Sequence, residues 1–340
     1  NENIYNNNVY NITGGTGELV GLNVRSGSGP TDKSVYGNNV YNLTGSAQVG
    51  AIFMDYGTNT YVYKNNIYNI TSNATASAPA VYGILQGTNV GQNLNINNNF
   101  ISELKAPANS SATAIYGMWI QGSTATYGKI YYNSVYLNAT TSAVNFGSSA
   151  INLASTSPYM IDLRNNILVN VSAFAGTGRT IALQRASTSL ANYYLLSGNN
   201  CLYAGTPGTN NLIYADGTNS DQTIQAFKDR VTPRDMSSFT EVPPFINVGA
   251  SPYNLRLQTG IATQCNRGGQ VVDVTVDFDN QPRDGSFPDV GADEFAGTSL
   301  QTAGPLITYT ALTNGNATSP RVLSSFAAIT DPTGINTTAG

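Results

Sequence analysis

From Asn1 to Cys201 the chain repeats one arrangement of apolar and polar positions. An apolar anchor is followed at the third place by Asn and at the fifth by a second apolar residue. The anchors are Ile4, Val35, Val62, Ile96, Ile130, Leu163 and Leu196; the third places hold Asn7, Asn38, Asn65, Asn99, Asn133, Asn166 and Asn199. The fifth places hold Val9, Val40, Ile67, Ile101, Val135, Leu168 and Cys201, with Cys counted as a small hydrophobe. Successive anchors lie 31, 27, 34, 34, 33 and 33 residues apart. Each interval carries a further β-prone run: LVGLNV (19–24), AIFMDY (51–56), VYGILQG (81–87), IYGMWIQG (115–122), AINLAS (150–155), TIALQR (180–185) and NLIYAD (211–216). Gly and Asn are too dense over 1–200 for helices.

One such repeat cannot bury its own apolar side, so the repeats must stack. The pattern predicts an all-β fold, a right-handed parallel β-helix (solenoid) with about three strands per coil and coils about 4.8 Å apart. Asn suits a sharp corner between two inward apolar residues, because it tolerates the left-handed backbone and bonds locally. Stacked in register, Asn amides also bond coil to coil. Asn7 through Asn199 are therefore expected to form an internal ladder; the alternative is a row of solvent-facing turn residues. The extra length of each coil is expected in loops such as 72–80 and 105–113, on one side of the solenoid.

After Asn199 the repeat decays. DQTIQAFKDRV (221–231) is a helical pattern, with Ile224, Phe227 and Val231 on one side and Asp221 as a fair N-cap. PPFINV, YNLRLQ and QVVDVTVDFD read as two last, degenerate coils of a C-terminal cap, which ends DFDNQPRDGSFPDVGADEF. This phrase, with NNCLY, IQAFKD, PPFINV and YNLRLQ before it, resembles the close of secreted bacterial right-handed parallel β-helix proteins. The resemblance covers roughly 1–296. It implies a secreted or cell-surface location and a membership of surface proteins, adhesins, glycan-binding proteins and some polysaccharide lyases. The family's small-residue phrase before its last coil here reads GIATQCNRGG, and this departure suggests a Cys201–Cys265 bridge; two buried free thiols are the alternative.

Residues 297–303 read as a linker. Residues 304–340 resemble the opening strands of an immunoglobulin-like module, but are too few for a sandwich. This extended β tail, with Leu306, Ile307, Tyr309, Leu312, Val322, Leu323, Phe326 and Ile329, is expected to dock on a neighbouring subunit; docking on its own β-helix and disorder are the alternatives.

Composition narrows the chemistry. Only 10% of the residues are charged, with net charge −4 and no basic run, so nucleic acid is not an expected partner. No apolar stretch is long enough to span a membrane. The chain opens inside a repeat, which suggests a trimmed product. It has no histidine, which removes Ser–His–Asp and histidine–metal sites. Acids are sparse in 1–200 (Glu2, Glu18, Asp32, Asp55, Glu103, Asp162) and do not recur at one phase of the repeat, so no catalytic cluster, cofactor or metal site is expected there. A second set, Asp273 to Glu294, reads as an end-cap network in which Arg283 pairs with Asp293 or Glu294; the spacing of Asp277–Asn280 is only a weak likeness to a calcium loop. Tyr5, Tyr10, Tyr36, Tyr41, Tyr63, Tyr68, Tyr131 and Tyr136 flank the Asn corner, as a platform for sugar rings or as stacks that stiffen the solenoid.

These features point first to a non-enzymatic extracellular structural protein, a filament subunit assembling head to tail with copies of itself by donating its C-terminal strands. The alternative is an adhesin or glycan-binding module. A polysaccharide lyase is the weakest reading.

Overall fold

The computed structural model describes residues 1–300 except 26–30, 77–78, 89–92, 123–126 and 155–159. The tail expected at 304–340, with Leu306 through Ile329, lies outside the described residues. Residues 1–299 form one unit.

That unit is a parallel β-solenoid with three sheets running along it. The first sheet stacks Glu2–Tyr5, Lys33–Tyr36, Asn59–Tyr63, Asn93–Asn97, Tyr127–Tyr131 and Met160–Arg164. The second stacks Asn8–Thr13, Asn39–Gly45, Asn66–Ser72, Phe100–Ser102, Ser134–Leu137, Ile167–Asn170 and Cys201–Tyr203. The third runs from Leu19–Val24 to Asn211–Ala215 and closes with the antiparallel Ser220–Asp221. Every other strand in these sheets pairs in parallel with its counterpart in the next coil, so identical phases of the repeat superpose. Ile4, Val35, Val62, Ile96, Ile130 and Leu163 form one inward row. Val9, Val40, Ile67, Ile101, Val135, Leu168 and Leu202 form another. From Val35 and Val40 onward both rows are fully buried.

The corner between the first two sheets explains the repeated Asn. The residue just before each ladder Asn takes the left-handed backbone: Asn6, Gly37, Lys64, Asn98, Tyr132, Asn165 and Asn199, with φ between 53° and 65°. Gly37 fits this row because it carries no Cβ, which would meet Asn6 Oδ1 at 2.4 Å. The ladder Asn itself follows, pointing inward and buried from Asn38 onward. The expectation that the ladder Asn would itself be the left-handed residue is thus displaced by one position. So is the seventh rung. Arg164 pairs with Gly198, so Asn199 corresponds to Asn165, and Asn200 continues the ladder in its place. Leu196 is correspondingly exposed, and Leu202 rather than Cys201 continues the inward row.

Beyond Ala215 the architecture departs from coils. Phe245–Asn247 and Asn254–Leu257 pair antiparallel, so PPFINV and YNLRLQ form a hairpin rather than degenerate coils. Asn247 builds its turn by accepting from the N–H of Gly249 and of Ala250. The helix is Ile224–Val231, capped by Thr223, whose hydroxyl accepts from Ala226 N; Asp221 instead lies in a strand and pairs with Arg230. Phe227 and Val231 are its buried side.

Candidate functional site

Each interior ladder Asn makes the same set of bonds. Asn65 Nδ2 donates to Asn99 Oδ1 (3.0 Å), to Val35 O (2.9 Å) and to Tyr63 O (3.1 Å), while its own N–H donates to Asn99 Oδ1 (3.0 Å). The pattern recurs from Asn38 to Asn166. Only a short amide supplies an acceptor and two donors at this reach. Asp would lack the donors, and Gln would be one methylene too long. At the far end Asn200 finds no further rung. Its N–H donates to Ser238 Oγ and its Nδ2 to Asp235 Oδ1.

The left-handed row faces outward and holds a strap, residues 268–280, which runs back along the corner. Asn199 Nδ2 donates to Gly268 O, Asn165 Nδ2 to Gln270 O, Asn98 Nδ2 to Val276 O and Lys64 Nζ to Asn280 Oδ1. The Tyr132 hydroxyl also donates to Gln270 O. Asn199, expected in the ladder, is therefore an anchor of the strap. The phrase PDVGADEF locks the strap's end. Arg283 pairs with Glu294 at 3.1 Å and lies over the Tyr132 ring, in keeping with an end-cap network. Asp289 accepts the N–H of Arg267 and of Phe295, yet burial pushes its carboxyl up to about 7. Burial likewise raises Asp293 to about 6, against the pull of Arg256. The Asp277 oxygens accept from Gln281 N and Glu294 N, which places Asp277 in the same network.

A trough lies between the strap and the outward face of the first sheet. Ser34, Tyr61, Tyr63, Lys64, Asn97 and Asn98 line one side, and Asp273 to Val276 the other, around a volume of about 480 Å³. A second depression of about 530 Å³, reaching Tyr36, Gly37 and Asn280, shares Tyr63 and Lys64 with it. The Lys64–Asn280 bond thus separates the two depressions. Lys129 pairs with Asp273 on the strap.

The tyrosines divide by role. Tyr5, Tyr36 and Tyr63 stack face to face at 5.0 and 4.7 Å, and Tyr10, Tyr41 and Tyr68 at 5.0 and 4.8 Å, with ring planes within 7°. Tyr36 and Tyr41 have both faces covered and the four end rings one each, so these rows chiefly stiffen the stack. Tyr131 is taken by Asp162, which also accepts from Tyr127 and Arg164, and Tyr136 packs on Phe245 and Tyr253. Tyr61 differs. It is half-buried in the trough, and among the described residues no other ring stacks on it. Nothing in the repeat marked it, because its row reads Ser34, Tyr61, Asn95, Lys129 down the sheet.

The six acids of 1–200 are not gathered into one site. Glu18 pairs with Arg25, Asp32 accepts from Asn59, Glu103 accepts from Tyr253 N, and Asp162 binds Arg164. Glu2 and Asp55 meet Lys33, an inward-facing lysine at the first coils that the sequence pattern did not single out. The expected Cys201–Cys265 bridge is not formed: both are buried free thiols. The Cys265 thiol donates to the Glu241 carboxylate and the Cys201 thiol to the Glu241 carbonyl, and burial pushes the Cys265 thiol well up. No family model, curated protein or solved structure matches the chain.

Proposed function

We propose that this protein is a non-enzymatic, extracellular binding scaffold that holds a neutral glycan chain in the trough beside Tyr61. The observation that carries this reading is the Tyr61 ring, on which no other ring among the described residues stacks and which shares the trough with Ser34 and Asn97. An aromatic ring in a trough takes the C–H face of a sugar, and hydroxyls and amides nearby take its hydroxyl groups. Charge is balanced, since Asp273 is paired with Lys129 and Lys64 feels the carboxylates of Asp277 and Asp279, which favours an uncharged ligand. The repeated corner and the stacked tyrosines supply a stiff wall on which such a site keeps its shape.

The test is a glycan array followed by titration calorimetry on the best ligand. Tyr61→Ala is expected to abolish binding, while Tyr41→Ala, in the tyrosine row of the second sheet, leaves it intact. Equal binding by the wild type and Tyr61→Ala would remove the proposal.

Head-to-tail assembly through the tail rests on residues 304–340, outside the described residues. The described end of the ladder is closed by Ser238 and Asp235, so copies would not join there rung on rung. Secretion or surface display fits both readings. No helix among the described residues is long and apolar enough to cross a membrane.

A further inference from the structure

The sequence holds two cysteines in 340 residues, and the fold brings both to one carboxylate. Cys201 opens the last strand of the second sheet, Cys265 follows the short strand Ala262–Thr263, and Glu241 lies in sequence between the helix and the hairpin. Both cysteines are fully buried. Cys265 Sγ lies 3.3 Å from Glu241 Oε1, and Cys201 Sγ lies 3.7 Å from the Glu241 main-chain oxygen. One ligand atom from each of the three side chains falls within 4.8 Å of the other two.

We propose that Cys201, Cys265 and Glu241 form a binding site for a thiophilic divalent cation of the zinc class. A tetrahedral zinc site has bonds of about 2.3 Å to sulfur and about 2.0 Å to oxygen, which sets neighbouring ligand atoms about 3.5 to 3.8 Å apart. Both sulfur–oxygen distances in this cluster lie close to that spacing, and the fourth position would be left to the Glu241 main-chain oxygen or to water. The carboxylate is held from behind. Gln264 N donates to Glu241 Oε2 at 3.2 Å, the Thr263 hydroxyl bonds Oε1, and the same hydroxyl accepts from Cys265 N. Such outer bonds fix a ligand's orientation. Two sulfurs beside one carboxylate select against calcium and magnesium, which prefer oxygen alone. On binding, both thiols lose their protons to solvent and the cation takes their place, with no change of oxidation state. The site would tie the last coil to two separate segments of the cap. It does not involve Tyr61, so it stands or falls apart from the glycan site.

The experiment uses the full chain, purified with a phosphine reductant, stripped by chelation and titrated with Zn²⁺ and with Co²⁺. One equivalent of either metal is expected to bind. Cobalt should give a thiolate charge-transfer band, and zinc should raise the melting temperature and slow alkylation of both thiols in urea concentrations that open the metal-free protein. Cys201→Ser and Cys265→Ser should each abolish the band, and Thr263→Val should weaken binding roughly tenfold. The alkylation arm needs no variant, so a misfolded mutant does not leave the question open. The proposal is overturned if cobalt gives no thiolate band or if the band survives Cys201→Ser. It is equally overturned if protein isolated without reductant carries a Cys201–Cys265 disulfide, two hydrogens lighter.

Discussion

Asn99 and Asn133, 34 residues apart in sequence, are joined twice: the N–H and the Nδ2 of Asn99 both donate to Asn133 Oδ1, at 3.2 and 2.9 Å. Asn99 in turn accepts the same pair of bonds from Asn65. The rung is a relay inside an apolar column, where an orphaned polar group is costly.

Asn99→Ala would strand the Asn65 N–H, take one of three acceptors from Asn65 Nδ2, and remove the amide bonds to Val62 O and Asn97 O. Its expected cost is roughly 3 kcal/mol, the sum of a buried group left without a partner and the lost bonds. Asn7→Ala, at the exposed first rung, should cost less than about 1 kcal/mol. Urea denaturation measures both. Equal losses at the two positions would mean that the buried amides do not hold the coils in register.

Asn199 and Asn200 look interchangeable in the sequence and are not so in the fold. Asn199→Gly keeps a residue suited to φ 56° and loses one partly exposed bond to Gly268 O, so a change within about 1 kcal/mol is expected. Asn200→Ala removes the link to Asp235 and leaves the Asn166 N–H without its acceptor, Asn200 Oδ1. It should be several times more damaging in the same urea assay. The reverse ranking would mean that Asn199, not Asn200, follows Asn166 in the ladder.

The end cap should respond to pH in a direction opposite to that of a salt-bridged carboxylate. Asp293 and Asp289 have folded values of about 6 and about 7, above the usual value of about 4 for an unfolded Asp. The folded state therefore holds these protons more tightly. Their stabilising contribution is full below about pH 4 and is lost as pH rises through about 6 and then about 7. At Asp216 partial burial is outweighed by bonds from Asn219 and Thr218, so its carboxyl is lowered and acts the other way, only below that window. Chemical denaturation across this range should show stability falling with pH, and Asp293→Asn should flatten the lower part of the fall. A rise with pH that the variant leaves untouched would mean that these two carboxyls do not carry the response.

Much of this fold was written in the short phrase around each Asn. Its position three places after an anchor set the coil, and the strands read at 19–24 and 180–185 coincide with Leu19–Val24 and Thr180–Arg185. The same rule slipped at Leu196, because an apolar residue happened to stand one place before Ser197, the true partner of Leu163 at this corner. Two consecutive asparagines then hid the shift. The strap was illegible for a different reason. Its contacts to Asn98 and Lys64 cross 178 and 216 residues and engage carbonyls and a lone Asn, which no periodicity announces. Tyr61 and Glu241 were missed likewise, since each becomes a site only through distant neighbours. PPFINV and YNLRLQ had strand composition, and composition does not say whether a strand pairs parallel with a coil or antiparallel in a hairpin.

Because every buried amide hands its neighbour the same bonds it receives, the column has no preferred number of members. Inserting or removing one lamina of about thirty residues would leave each remaining junction chemically unchanged and alter the height by about 4.8 Å. A gene encoding such a chain could therefore tune its reach in fixed increments through unequal recombination, while the terminal closure at Ser238 and Asp235 is kept as it is.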